Sequence, residues 1–345
     1  MRTRTLAAVL SSSALTAGLL VALPGTAHAA TSLTPSQAVE QLNNVGFATL
    51  AATPSGFTDT LTGDGWGAPT TIAFDPVAQM RLTTSVYASG TQRFLSTPIA
   101  EYYDLPRDAA TLAASTYAGK PAATWVYNLR ASNPLYTNDV VSSYLLEDIV
   151  DGAPAPGQPT MQILTASTTT DGDGTRHWDV TSRDDSVTPA WLRSYSVTAD
   201  PQNRLSAIAI VEGPTGDPTQ RSWSEAVSYA RPTLTMPTKA EVISSTTLAL
   251  ARDSIHLRAR VGRVVLDVAA GANAYAAKRH RRVLPRDIQG YSKWYVSLAN
   301  RSTTLIRWYT TYVGSVIYAR NPFTRELVAY RVSVRSGKAV ITRMA

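Results

Sequence analysis

Residues 192–212, LRSYSVTADPQNRLSAIAIVE, contain two runs of alternating side chains separated by a turn. In the first run Tyr195 and Val197 fall on one side and Ser196 on the other, because successive side chains of a strand point to opposite faces. The connection, residues 200–203, has proline at its second position, as β-turns favour. This stretch therefore predicts an antiparallel hairpin with one apolar face and one hydrated face.

Further strand patterns surround this hairpin and extend it into a meander. They occupy residues 78–89 and 91–97 on either side of the turn signal Ser89-Gly90, and then residues 120–129, 159–168, 176–183 and 222–237. Consecutive strands joined by short connections predict an antiparallel sheet. Apolar residues with helical spacing predict helices within residues 34–52, 107–115 and 138–151. Strands and segregated helices together predict an α+β fold.

The end of this meander carries a resemblance to a known family. The hairpin T.DPQNRL..I.I, an aromatic-containing strand, a stretch between Pro232 and Pro237 and an A.V exit resemble the tail of the LolA-like and LppX/LprAFG lipoprotein carriers. The resemblance covers residues 34–243 and implies an antiparallel half-barrel sheet, partly covered by helices, whose concave face holds acyl chains. Members that are anchored through a lipobox cysteine have a residue that this chain lacks, since it contains no cysteine.

This resemblance makes apolar and aromatic residues of the first part candidates for lining a ligand cavity. The candidates are Phe74, Met80, Leu82, Phe94, Tyr102, Trp125, Tyr127, Tyr144, Leu145, Ile149, Trp178, Val180, Trp191 and Tyr195. The more common role of such side chains is in a packed core. The sequence leaves both interpretations open.

The first 29 residues have the order of a secretory signal peptide. Arg2 and Arg4 precede an apolar run that ends in the small residues around Ala29. We therefore expect an exported chain whose mature form begins near Ala30. The absence of cysteine excludes disulfides and thiolate metal sites, so this chain must depend on buried apolar area for stability.

Charge divides the chain at about residue 238. Residues 239–345 hold 19 Lys and Arg against 5 Asp and Glu, whereas residues 30–238 hold 11 against 20. The second part reads as a long amphipathic helix, a shorter helix from Pro285, and three or four antiparallel strands. We therefore expect a half-barrel domain at 30–238, followed at 239–345 by a small helix-plus-meander α+β domain that loosely resembles the globular parts of pilin-like proteins.

The basic domain contains candidates for contact with an anionic surface, namely Lys278, Arg279, Arg281, Arg282 and Arg286. Clustered cations attract anionic membranes and polymers. The same cations near a helix C-terminus also oppose the helix dipole, so a solvated helix end is an equal alternative. Export argues against a nucleic-acid target, and attraction between the two oppositely charged domains is a further explanation of the charge division.

Catalytic and metal-binding patterns are weak. No serine lies in a Gly-x-Ser-x-Gly context, and His177 is expected to be exposed or paired with Asp179 rather than catalytic. Asp171, Asp173 and Asp179 are oxygen donors close enough in the chain to suggest calcium, but the loop departs from EF-hand spacing and Asp-Gly is also a common hairpin turn. A turn is the favoured interpretation, and we expect neither a metal nor a cofactor.

These observations predict a secreted, actinobacterial-type envelope protein that binds a lipid or other hydrophobic ligand non-covalently and touches anionic surfaces through its basic domain. The alternative is a structural or adhesive surface protein with filled cores. A secreted hydrolase is a lesser alternative, which would need a histidine within hydrogen-bond reach of a hydroxyl and a carboxylate. The sequence does not determine the ligand or the oligomeric state.

Overall fold

The computed structural model describes residues 29–64, 68–130, 161–185, 189–215, 220–301 and 304–344. The elements of these residues are, in chain order, β1 (Thr31–Ser32), α1 (Pro35–Ala52), β2 (Phe57–Gly63), β3 (Thr70–Asp75), β4 (Met80–Tyr87), β5 (Gly90–Ser96), β6 (Ala100–Asp104), α2 (Ala109–Tyr117), β7 (Trp125–Leu129), β8 (Met161–Thr170), β9 (Arg176–Asp184), β10 (Trp191–Ala199), β11 (Leu205–Pro214), β12 (Arg221–Ser228), β13 (Val242–Ser244), α3 (Ser245–Ile255), α4 (Leu257–Lys278), α5 (Pro285–Ala299), β14 (Ile306–Thr311), β15 (Gly314–Arg320), β16 (Leu327–Arg335) and β17 (Lys338–Arg343).

The predicted α+β class is confirmed. Within the described residues, thirteen strands form an open, half-barrel-like sheet that is not closed, and β14 to β17 form a separate four-stranded sheet. Antiparallel pairing dominates the larger sheet, with the exception of β7 and β13, which are parallel. None of the described helices is long and apolar enough to cross a membrane.

The chain is divided into two compact units. The first contains the described parts of residues 1–51 and 141–222, and the second contains those of residues 52–140 and 223–345. Strand order is β1-β8-β9-β10-β11 in the first unit and β12-β2-β3-β4-β5-β6-β7-β13 in the second. A compact unit need not fold by itself, so these two units do not test the domain boundary expected at residue 238. That boundary stays a prediction.

The first unit is built around the β10–β11 hairpin, whose two strands are joined by the turn that the sequence predicts at residues 200–203. Asn203 has a φ of 63°, and the Asp200 side chain accepts hydrogen bonds from the backbone N–H groups of Gln202 and Arg204. The buried face of this hairpin packs under α1. The Thr49 hydroxyl of α1 donates to the Val45 carbonyl and accepts from the Leu205 N–H, both at 2.8 Å, and so joins this helix to β11.

One predicted helix of the second unit is divided into two. The sequence predicts a single long helix, whereas α3 ends at Ile255 and α4 begins at Leu257, on either side of His256. The two helices bury different partners. Leu248 and Ala251 of α3 pack in a cluster with Ala114 of α2, whereas α4 packs in another cluster with the four-stranded sheet. A single straight helix presents one continuous apolar stripe to one partner. Because α3 and α4 pack against different clusters, a break between them is favoured.

Helices α4 and α5 approach each other closely at Gly271. A Cβ atom at this position would lie 2.8 Å from the Tyr291 ring, which is too close for an ordinary contact. Glycine in a helix costs up to about 1 kcal/mol relative to alanine. Here the close packing of the Tyr291 ring explains why a residue with poor helix propensity lies in the middle of α4.

Asn321, in the turn between β15 and β16, joins three elements of the second unit. Its side-chain amide N–H group donates to the Tyr117 hydroxyl of α2 and to the Ser254 carbonyl of α3, and its amide oxygen accepts from the backbone of Phe323 and Thr324. The side chain is buried. A buried amide requires such partners, so this residue ties the small sheet to α2 and α3.

We expect Asn321→Ala to lower the free energy of unfolding by about 2 kcal/mol or more, because buried polar groups that lose their partners cost about 1–3 kcal/mol. Urea denaturation followed by circular dichroism measures this change. Asn44→Ala, at an exposed position of α1, is the matched control and should leave stability within about 0.5 kcal/mol. Equal stability of the two variants would contradict the assignment.

Candidate functional site

The predicted cavity residues of the first unit lie among its core side chains. Trp178 is 1% exposed, and Val180 and Tyr195 are also buried. The Trp178 indole N–H donates to the Gln41 side-chain oxygen of α1 at 2.9 Å, which is the polar partner that a buried indole requires. Trp191, the first residue of β10, is partly exposed. At the three buried positions, the apolar face of the strands is occupied by packing.

In the second unit, strand register brings several predicted residues onto one face. Leu82 pairs with Leu95, Leu95 with Tyr102, and Tyr102 with Tyr127, so these side chains point the same way. The rings of Tyr102 and Tyr127 are 5.9 Å apart. This face also holds a cluster in which Leu234 and Val242 pack against other side chains, namely Met80, Leu82, Leu95, Tyr102 and Trp125. The chain itself therefore covers part of the face on which the sequence predicted a ligand.

Asp75 holds the covering segment in place. Its carboxylate accepts a hydrogen bond from the Leu234 N–H at 3.2 Å and from the N–H groups of Val77 and Ala78 at 3.0 and 3.2 Å. Burial alone would raise the pKa of Asp75, but the hydrogen bonds from Leu234, Ala78 and Val77 hold this pKa below its usual value. The carboxylate is therefore charged at neutral pH and remains a strong acceptor.

The opposite face of the same strands contributes to a cavity. Thr83 pairs with Phe94, and Phe94 pairs with Tyr103, with the two aromatic rings 4.9 Å apart. The cavity has a volume of about 790 Å³. We call it the strand cavity, and its lining consists of Thr83, Ser85, Ser89, Thr91, Gln92, Arg93, Phe94, Tyr103, Asp104, Leu105, Pro106 and Arg107. Phe74 lies elsewhere, buried against Phe57 at 5.9 Å between ring centroids.

An ion pair from the face that carries Leu95 and Tyr102 also lines the strand cavity, because alternation places Arg93 with Leu95 and Asp104 with Tyr102. The Arg93 side chain bonds Asp104 at 2.6 Å, and the Arg93 backbone N–H donates to the same carboxylate at 2.6 Å. The Arg93 guanidinium also lies 4.4 Å from the centroid of the Trp125 ring, within the range of a cation–π contact. Arg107 is exposed at another part of the lining. The cavity thus combines aromatic surface, hydroxyl groups and positive charge.

The lining of the strand cavity is only partly predictable from the sequence. Among the predicted residues that the structure describes, only Phe94 lines it, whereas the hydroxyl side chains of β4, the Arg93–Asp104 pair and Arg107 were not predicted. The signal that could have identified these lining residues is the alternation along β4 and β5, which places Thr83 beside Phe94. Alternation assigns side chains to one face of the sheet or the other, but it does not show which face remains open.

His177 lies between a carboxylate and a hydroxyl. Its Nε2 is 2.9 Å from Asp171, and its Nδ1 is 3.2 Å from the Thr198 hydroxyl. Of the two expected alternatives, pairing with Asp179 does not occur, since Asp179 accepts from Ser196 at 2.7 Å, whereas the His177 side chain is 38% exposed. The Asp–His–hydroxyl order is that of a hydrolase triad. However, Thr198 lies inside β10 and pairs with both neighbouring strands, so the local backbone belongs to the sheet ladder and not to an oxyanion-binding loop.

The loop preceding His177 has the hydrogen bonds of a hairpin turn. The Gly174 N–H donates to the Asp171 carbonyl at 3.0 Å, and the Thr175 N–H donates to the Asp173 carboxylate at 2.9 Å. Because Asp171 contacts His177 while Asp173 contacts the turn backbone, their carboxylates have separate partners. In the described part of the chain, no group of three His, Cys, Asp or Glu residues is arranged to hold a metal ion.

The predicted cationic residues cluster where α4 ends and α5 begins. Lys278, Arg279, Arg282 and Arg286 are exposed. Arg281 differs, because it forms two hydrogen bonds to the buried Asp287 carboxylate at 2.7 and 2.8 Å. Next to this pair is a second cavity of about 480 Å³. We call it the helix cavity, and its lining consists of Tyr275, Arg281, Arg286, Asp287, Gly290, Tyr291 and Trp294.

Three predicted cavity residues, Tyr144, Leu145 and Ile149, lie outside the described residues, as does the helix expected at 138–151.

Acid should weaken the fold through Asp287. Its hydrogen bond to Arg281 lowers the pKa of Asp287, with a further contribution from the Leu284 N–H, and burial acts in the opposite direction. A carboxyl with a lower pKa in the folded state stabilises the protein above its unfolded pKa of about 3.9 and loses that contribution as the pH falls through the folded pKa. We therefore expect Asp287→Asn to be more destabilising at pH 7 than at pH 3.

Urea unfolding of the two proteins across this pH range measures the effect. Arg281→Gln removes the main cause of the pKa shift and should reduce the pH dependence in the same direction. Parallel stability curves for wild type and Asp287→Asn would contradict this explanation.

Comparison with known proteins adds little to this geometry. No protein-family model matches the sequence, and no curated protein matches it. The crystal structure of an uncharacterized conserved protein from Thermus thermophilus matches with 11% sequence identity and a TM-score of 0.24, covering 60% of this chain and 98% of that chain.

Proposed function

We propose that the chain is an exported cell-envelope protein that binds an amphipathic, lipid-like molecule non-covalently in the strand cavity. The observation that carries this proposal is the volume of about 790 Å³ next to the Phe94 and Tyr103 rings. Small-molecule sites have volumes of about 300–1,000 Å³ and combine apolar walls with a few polar groups. The signal-peptide pattern of residues 1–29 supports export.

Each part of the lining has a role in this proposal. An apolar chain or ring lies against Phe94, Tyr103 and Leu105, where each methylene withdrawn from water contributes about 0.8 kcal/mol. The Thr83 and Ser85 hydroxyls donate or accept hydrogen bonds at the polar end of the ligand. An anionic head group is favoured at this polar end of the ligand, because the Arg107 guanidinium is exposed. Arg93 contributes less, since it is already paired with Asp104.

A second function has its own support. The buried Trp178 and the cover that Leu234 provides over Leu82 favour a structural or adhesive surface protein whose interior faces are filled by its own side chains. In that case the strand cavity would hold only water. The presence or absence of a co-purified ligand distinguishes the two functions.

We expect organic extraction of the purified mature chain, followed by mass spectrometry, to yield an amphipathic molecule. After delipidation, isothermal titration with oleate should show that Phe94→Ala weakens binding about tenfold or more, because burial of an aromatic side chain contributes about 1.5–3 kcal/mol. Tyr127→Ala, on the opposite face, is the matched control and should bind oleate as wild type does.

Thermal unfolding of both variants separates lost binding from lost structure. A larger effect of Tyr127→Ala than of Phe94→Ala would place the ligand on the covered face and overturn the site. No extracted molecule and no oleate binding would favour the structural function.

In the same proposal, the exposed cations at the end of α4 contact an anionic membrane or cell-wall polymer. Each cation near such a surface contributes about 1 kcal/mol at low salt. We expect simultaneous replacement of Lys278, Arg279 and Arg282 by glutamine to reduce sedimentation with phosphatidylglycerol-containing vesicles by at least tenfold. A matched triple replacement of Arg307, Arg331 and Arg343 on the small sheet should have a smaller effect, and equal effects would show that only net charge matters.

A further inference from the structure

The helix cavity combines positive charge with exposed aromatic surface. Both helices that form it belong to the second unit, with Tyr275 near the end of α4 and with Gly290, Tyr291 and Trp294 along α5. Its volume of about 480 Å³ lies within the range of small-molecule sites. Its location and lining are different from those of the strand cavity, so its occupant is a separate question.

The charge available to a ligand comes mainly from Arg286. Asp287 uses its carboxylate to accept two hydrogen bonds from Arg281 and one from the Leu284 N–H, so this carboxylate and Arg281 neutralise each other. The same bond to Leu284 caps the N-terminus of α5. Arg286 is exposed and has no hydrogen bond or ion pair with any residue that the structure describes. An anion in the cavity would therefore meet one guanidinium that has no hydrogen-bonded or ion-paired partner of its own, although the Asp287 charge lies nearby.

The aromatic side of the cavity is a group of rings in mutual contact. Trp294 is 57% exposed, yet its ring lies 4.6 Å from that of Tyr295 and 6.4 Å from that of Tyr291. Tyr291 in turn meets Tyr275 edge to face at 6.3 Å. An exposed ring fixed by its neighbours offers a flat surface on which another ring can stack at low entropic cost.

Gly290 keeps space open between the charge and the rings. A Cβ atom built at this position meets no other atom within 4 Å, although Gly290 is part of the cavity lining. Glycine within a helix reduces stability by up to about 1 kcal/mol relative to alanine. A larger side chain would therefore extend into free space and favour the helix, while taking up room that a ligand needs.

We propose that the helix cavity binds a phosphate ester of a ring compound, with the phosphate on Arg286 and the ring on Trp294. Guanidinium groups match the geometry of phosphate oxygens, and flat aromatic side chains stack on bases and other rings. Lys278, Arg279 and Arg282 lie on the same positively charged end of α4 and increase the local concentration of anions. A nucleotide and a phosphorylated sugar both supply this chemistry.

Isothermal titration of the mature full-length chain tests the proposal with four probes: adenosine 5′-monophosphate, glucose 1-phosphate, inorganic phosphate and adenosine. At least one ester should bind at least tenfold more tightly than both inorganic phosphate and adenosine. Binding of the nucleotide alone identifies a base as the stacked ring, and binding of glucose 1-phosphate alone identifies a sugar. Failure of both esters to bind at millimolar concentration overturns the proposal.

Variants then locate the site. Gly290→Leu should abolish binding without lowering the melting temperature, and Arg286→Gln and Trp294→Ala should each weaken it at least tenfold. The matched controls are Arg263→Gln at an exposed position of α4 and Tyr312→Ala, whose side chain is 93% exposed in the turn after β14. Unchanged binding by Gly290→Leu, or an equal loss in Arg263→Gln and Arg286→Gln, overturns the site. Oleate binding in the strand cavity should be unaffected by Gly290→Leu, so failure here is distinct from failure of the proposed function.

Discussion

The pairing of Leu82 with Leu95, and of Leu95 with Tyr102, determines how the two faces of the second unit are used. In a strand, a residue and its neighbour must point to opposite sides, so once these three side chains meet on one face, Phe94 and Tyr103 must meet on the other. Leu234 covers part of the first face, which Val242 of β13 extends, whereas the second face contributes to the strand cavity. A shift of register by one residue would exchange the two sets of side chains and remove both the cover and the cavity.

Buried polar groups complete this arrangement. Asp75 fixes the segment that carries Leu234 through a backbone hydrogen bond, and Asn321 fixes the small sheet to α2 and α3 through its side-chain amide. Such groups are costly to bury without partners, so each of them permits few alternative positions of the chain around it. The Arg281–Asp287 pair acts similarly beside the helix cavity, since it uses up one arginine and leaves Arg286 as the cation that faces a ligand.

Local sequence signals predicted most of the regular elements. The Asp200 turn, the Ser89-Gly90 turn and the periodicity of α1 lie within short stretches, and β10, β11, β4, β5 and α1 appear where those signals place them. The break at His256 was missed, because it depends on where α3 and α4 find their separate packing partners. The contact of His177 with Asp171 was missed too. Alternation placed His177 and Asp179 on one face, but the loop brings Asp171 closer to the imidazole ring.

The sequence by itself determined the α+β class, the positions of the main turns and the charge difference between the two parts of the chain, because these properties depend on residues close together or on composition. Only the tertiary structure decided which apolar faces are covered, which arginine is paired and where open space remains. Leu234 is more than 130 residues from Leu95 and Tyr102 in the chain, yet it lies against their cluster. The alternation of side chains along β5 and β6 does not indicate that a residue so far away in the chain packs against them.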